Sequence, residues 1–96
     1  MSELTLISAH KHPLKPLVQA ALENELRLME AGIRRTEKRL IQFETKYHLS
    51  TAEFIRKYEN DEINETLEFA EWVGEQRMLI RLLEKKETLR GVRFEN

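Results

Sequence analysis

Apolar side chains recur through the first half of the chain at steps of 4, 3, 4, 3, 4, 3 and 4: Leu22, Leu26, Met29, Ile33, Thr36, Leu40, Phe43 and Tyr47. This is the a/d spacing of a heptad, held over 26 residues with one polar member, Thr36. A 3.5-residue period keeps one stripe of a helix turned toward another helix. The pattern predicts a single long helix, from Leu14 or Lys15 to Tyr47, whose helical partner lies in the same chain or in another copy. Gly32 is its only interior breaker, about 1 kcal/mol worse than alanine. At roughly 1.5 Å per residue the rod is about 50 Å long. It cannot bury its seam within 96 residues unless a second helix runs beside it.

His48-Leu49 marks a corner. Ser50-Thr51-Ala52-Glu53 has the form of a capping box, with Leu49 and Phe54 placed as a hydrophobic staple. A short second helix follows, presenting Phe54, Ile55 and Tyr58 and ending near Asn60-Asp61. A third runs from about Asn64 to Arg90, with Gly91 as its stop. Its apolar residues fall on two sides: Phe69, Trp72, Val73, Leu79, Ile80 and Leu83 on one, and Ile63, Leu67, Ala70, Met78, Leu82 and Leu89, with Gly74, on the other. One buried face needs one stripe, so this helix is expected to lie between the first helix and a further surface. Residues 1–13 form a separate N-terminal arm. Leu4-Thr5-Leu6-Ile7 reads as a short strand that must pair with something, and His10-Lys11-His12-Pro13 as a polar connector. The expected fold is all-α: a long antiparallel helical hairpin over residues 14–96 with a short corner helix, preceded by a strand or arm.

Composition narrows the function classes. Apolar content of 41% and charged content of 34% suit a folded helical chain. A net charge of −1 supplies no global field toward nucleic acid or anionic membrane. No apolar run is long enough for a membrane span, and no signal-peptide layout is visible. The absence of cysteine removes disulfides, thiolate nucleophiles and zinc–cysteine sites. The cytoplasm is the expected compartment. No glycine-rich phosphate loop or nucleophile–base arrangement is present. His10 and His12 would alternate on an extended arm and could not easily share an ion. An enzyme, a metal and a cofactor are therefore not expected.

Charge is segregated along the chain. Seven acids (Glu59, Asp61, Glu62, Glu65, Glu68, Glu71 and Glu75) occupy the stretch from Tyr58 to Gln76, which holds no basic residue. Arg34, Arg35, Lys38 and Arg39 cluster on the first helix, interleaved with Glu30, Glu37 and Glu44 as intrahelical pairing would require. The acids are expected to be unopposed, to steer a basic partner and to rim an aromatic anchor. Tyr58, Glu65, Glu68, Phe69, Trp72 and Glu75 are the expected partner-binding residues, although Trp72 could equally be core. Leu22, Leu26, Met29, Ile33, Leu40 and Phe43 are the expected oligomer seam, most simply of a dimer.

The string Phe43-x-x-Lys46-Tyr47-x-Leu49-Ser50-x-x-x-Phe54, followed by Tyr58 and Glu71-Trp72-x-x-Glu75, resembles a group of short prokaryotic helical proteins. Many of these resemble the antitoxin halves of two-gene toxin–antitoxin modules. The resemblance covers roughly residues 14–90 and implies a small, often basic, toxin-like protein as partner. It brings no catalytic residue. Three classes stay open: an antitoxin-like binding protein, a self-assembling helical scaffold, and a DNA-binding dimer that uses the arm or the basic patch of the first helix.

Overall fold

The computed structural model describes Glu3–Leu4 and residues 14–94. Three helices follow one another: α1 over Leu14–Tyr47, α2 over Thr51–Glu59 and α3 over Leu67–Arg90. α1 and α3 run beside each other as the two arms of a hairpin, and α2 closes the turn. Two-residue strands, β1 (Glu3–Leu4) and β2 (Arg93–Phe94), pair in parallel. Leu4 of the expected strand is thus paired; Thr5–Ile7 and the His10–His12 connector lie outside the described residues. The molecule measures 60 × 21 × 18 Å. Its radius of gyration of 19.0 Å compares with about 12–13 Å for a compact domain of this length.

Each bend has a local cause. α1 ends where His48 turns left-handed (φ 51°), which lets the Leu49 amide donate to the Glu44 carbonyl at 3.2 Å. That six-to-one bond is a Schellman closure made without glycine. Ser50 is extended, and its hydroxyl accepts from the Glu53 amide at 3.1 Å. The reciprocal half of the expected capping box is replaced. The Glu53 carboxylate binds Arg56 at 2.6 Å, while Glu44 reaches from α1 to accept the Thr51 amide at 2.7 Å. α2 ends in a second Schellman closure, with Asp61 at φ 55° and the Glu62 amide donating to the Lys57 carbonyl at 2.9 Å. α3 starts at Leu67, three residues later than Asn64, because Thr66 takes the cap and accepts from the Phe69 amide at 3.0 Å. Gly91 ends α3 at φ −83°, a conformation open to any residue.

The α1 stripe faces α3 of the same chain. Met29, Ile33, Thr36, Leu40 and Phe43 are buried, and Leu22, Leu26 and Tyr47 are half-buried. Thr36 is tolerated there because its hydroxyl donates to the Gly32 carbonyl at 2.8 Å. α3 answers with a matching stripe, Glu68, Trp72, Glu75, Leu79, Leu82, Lys86 and Leu89, at steps of 4, 3, 4, 3, 4 and 3. Every one of these is buried or half-buried. Opposite Leu82, Gly32 lets the helices close: a Cβ there would meet Leu82 Cδ1 at 3.3 Å.

Candidate functional site

The head of the hairpin is an aromatic cluster that fixes everything around it. Trp72 is fully buried between two rings, with Phe54 stacked at 3.9 Å and 2° and Phe43 at 5.3 Å and 10°. Tyr47 and Phe69 close the sides. The indole N–H donates to Thr51 Oγ1 at 3.0 Å, so its one polar atom is satisfied inside. Trp72 is therefore core, and no partner can touch it without opening the corner. Phe69 is half-buried against Phe54 and Tyr47. Of the expected aromatic anchors Tyr58, at the end of α2, and Phe69 are half-buried and keep an edge on the surface.

The acids are less free than the sequence predicts. Glu68 binds Lys46 at 2.7 Å and accepts from the Tyr47 hydroxyl. Lys46 first, then Tyr47, holds its carboxyl below the usual carboxylate range. The same bonds push Tyr47 and Lys46 above their ordinary values. Glu71 pairs with Arg39 at 3.3 Å, and the Arg39 guanidinium lies over the Phe43 ring at 4.4 Å. Glu62 meets Arg56 at 3.4 Å. These three carboxylates are opposed by cations of α1 and α2, because α3 folds back beside them. Arg39 and Glu44 spend themselves on other elements, and Glu30 pairs with Lys86 of α3 at 3.6 Å. The intrahelical ion pairing expected of that basic patch is not formed among the described residues, and Arg39 alone of its four cations bridges to α3.

What remains open is narrower. Glu59 and Asp61 are exposed, and their carboxylates make no hydrogen bond or ion pair among the described residues. Glu65 is exposed and accepts from the Tyr58 hydroxyl at 3.0 Å, which ties the 60–66 connection to α2 and raises the Tyr58 pKa. Glu75 is half-buried in the α3 stripe. Leu67, the first residue of α3, is 79% exposed beside them. Expected as one member of an apolar stripe, Leu67 stands clear of the core because it follows the Thr66 cap directly, a helix start that Thr66-x-x-Phe69 does not announce.

The expected oligomer seam divides. Met29, Ile33, Leu40 and Phe43 are covered by α3, and Leu22 and Leu26 keep part of their surface. Among the described residues no group of three or more His, Asp or Glu side chains is arranged to hold a metal, and no helix is long and apolar enough to cross a membrane. Compared with protein families, curated proteins and solved structures, the chain matches none.

Proposed function

We propose that this is a non-enzymatic, protein-binding helical protein, antitoxin-like, whose acidic head neutralises a small basic partner in the cytoplasm. The observation that supports it most is the row Glu59, Asp61, Glu62 and Glu65. All four are exposed, and Arg56 is the one cation bridged to the row among the described residues. The row is carried on a rigid mount: two Schellman turns, the Thr66 cap and the Tyr58–Glu65 bond hold the connection to the aromatic head. Exposed charges add little affinity one by one, but a single-signed row raises the encounter rate with an opposite surface. Holding the complex falls to apolar contact, for which Leu67 and the edge of Tyr58 stand beside the acids.

The test begins with the product of the neighbouring gene, which this reading expects to be a small basic protein, and measures its association kinetics. Glu59→Lys combined with Asp61→Asn leaves the Tyr58–Glu65, Lys46–Glu68 and Arg39–Glu71 bonds in place, so the mount and the helicity are retained. Association slows several-fold and loses part of its salt dependence. Wild-type association rates across the whole salt series would remove the acidic head from the reading.

A further inference from the structure

α3 carries a second heptad stripe, one residue out of step with the stripe that meets α1. Phe69, Val73, Gln76, Ile80, Leu83 and Glu87 recur at steps of 4, 3, 4, 3 and 4. Its first half lies under α2: Phe69 and Val73 pack on the aromatic core, and Gln76, Arg77 and one edge of Ile80 border a cleft of about 330 Å³ with Ile55, Tyr58 and Glu59. α2 has only nine residues, and the stripe continues past it. Ile80 and Leu83, each 47% exposed, and Glu87 beyond them are left facing outward. Half of a helix-packing surface is thus used, and half is ready for another helix.

We infer that the open half binds a second copy of this chain, with the two α3 helices antiparallel. The stripe is self-complementary in that direction alone. An antiparallel twofold centred between Ile80 and Leu83 sets Ile80 on Leu83 of the other copy, and Gln76 on its Glu87, an amide donor against a carboxylate. The residues flanking this core, Arg77 and Glu84, are both exposed. The same twofold sets Arg77 of each copy beside Glu84 of the other, and flanking charges of this kind decide orientation in paired helices. A parallel pair would instead stack Glu87 on Glu87. This inference goes beyond the acidic-head reading and does not rest on it.

Sedimentation equilibrium of the full chain tests it. The wild type runs at about twice 11.5 kDa, the mass of a C2 dimer. Ile80→Glu with Leu83→Glu runs as a monomer at every concentration, with far-UV circular dichroism unchanged because both side chains are half exposed in the single chain. Arg77→Glu raises the dimer dissociation constant several-fold by facing Glu84 with a like charge, and adding Glu84→Arg restores it. A wild type that stays monomeric overturns the proposal and leaves the Ile80–Leu83 face to a different partner. A dimer that survives the double glutamate substitution overturns the face, and a charge swap that fails to restore affinity overturns the antiparallel register.

Discussion

Removing the Phe54 ring tests the claim that the fold is held at its head. Phe54 has no exposed surface, and its ring touches Trp72 at 3.9 Å, Phe69 at 5.4 Å and Tyr58 at 5.8 Å between centroids. Truncating a buried phenylalanine to alanine costs about 3–5 kcal/mol in lost transfer energy and residual cavity. The upper part of that range applies here, because one face of Trp72 loses its stacking partner and the short α2 has no other fully buried apolar side chain with which to refill the space. A loss of about 4 kcal/mol is a large share of the 5–15 kcal/mol available to a domain. It lowers Tm by about 15–30 °C. The control is Ile41→Ala, at a side chain 59% exposed, which should stay within about 0.5 kcal/mol.

Urea unfolding followed by fluorescence and by circular dichroism decides it. Trp72 is the single tryptophan, so fluorescence reports the head while dichroism reports all three helices. Both are read at one fixed protein concentration, since self-association would move the midpoint. The variant should lose its midpoint at constant m, with the two probes coincident. A Phe54→Ala protein within about 1 kcal/mol of wild type, or an Ile41→Ala protein equally damaged, would refute the idea that the aromatic head carries the stability.

Two further outcomes follow from the turns and the bridges. Ser50→Ala should cost about 1 kcal/mol through the lost cap on Glu53, whereas Asp61→Gly should gain about 0.5–1 kcal/mol by relieving a left-handed non-glycine residue; urea midpoints of opposite shift check both. Stability should also depend on pH at both extremes. Glu68 titrates below the usual carboxylate range in the fold, so its contribution is present above that range and is lost as pH falls through its depressed value. Tyr47 and Tyr58 titrate above the ordinary 10.0 and Lys46 above 10.5. Their contributions are present at neutral pH and are lost as pH rises through those raised values. Thermal melts of Glu68→Gln should show a flatter acid limb and those of Tyr47→Phe a flatter alkaline one; an acid limb of Glu68→Gln superimposed on wild type would mean the bridge to Lys46 contributes nothing in solution.

The α1 stripe was legible because seven of its eight members are apolar, and periodicity of that strength needs no context. The partner stripe on α3 has the same 4-and-3 spacing and was not legible, since Glu68, Glu75 and Lys86 occupy three of its seven positions. Charge reads as surface until the helix opposite supplies Lys46 for Glu68 and Glu30 for Lys86. The two apolar sides expected of α3 do not stand as drawn: Leu67, Ala70, Gly74 and Met78 are exposed, Leu82 and Leu89 join Leu79 against α1, and Ile80 lies with Val73 toward α2. Ser50 announced its helix through a capping pattern. Thr66 did not, because Phe69 stands where a capping box has Glu or Gln. Trp72 left its role open in the sequence, because an interface anchor and a core ring share one side-chain chemistry; only the stacking with Phe54 and Phe43 separates them.

Stability and exposure are unequally shared along the rod. Six of the aromatic side chains meet at the corner (Phe43, Tyr47, Phe54, Tyr58, Phe69 and Trp72), whereas α1 before Met29 has no buried side chain, and Leu17 and Leu28 are 65% and 60% exposed. A long helix with one thinly covered end relies on its packed end for nucleation and on intrinsic propensity for the rest. The head can therefore hold a fixed acidic surface in a single copy. The far half of the hairpin gains most from company, and the open stripe at Ile80 and Leu83 lies between the two. If both proposals hold, partner capture at the head and pairing along α3 meet at one cleft, which Tyr58 and Glu59 line from α2 and Gln76, Arg77 and Ile80 from α3, so substitutions at Asp61 or at Leu83, outside that cleft, are the ones that should disable one without the other.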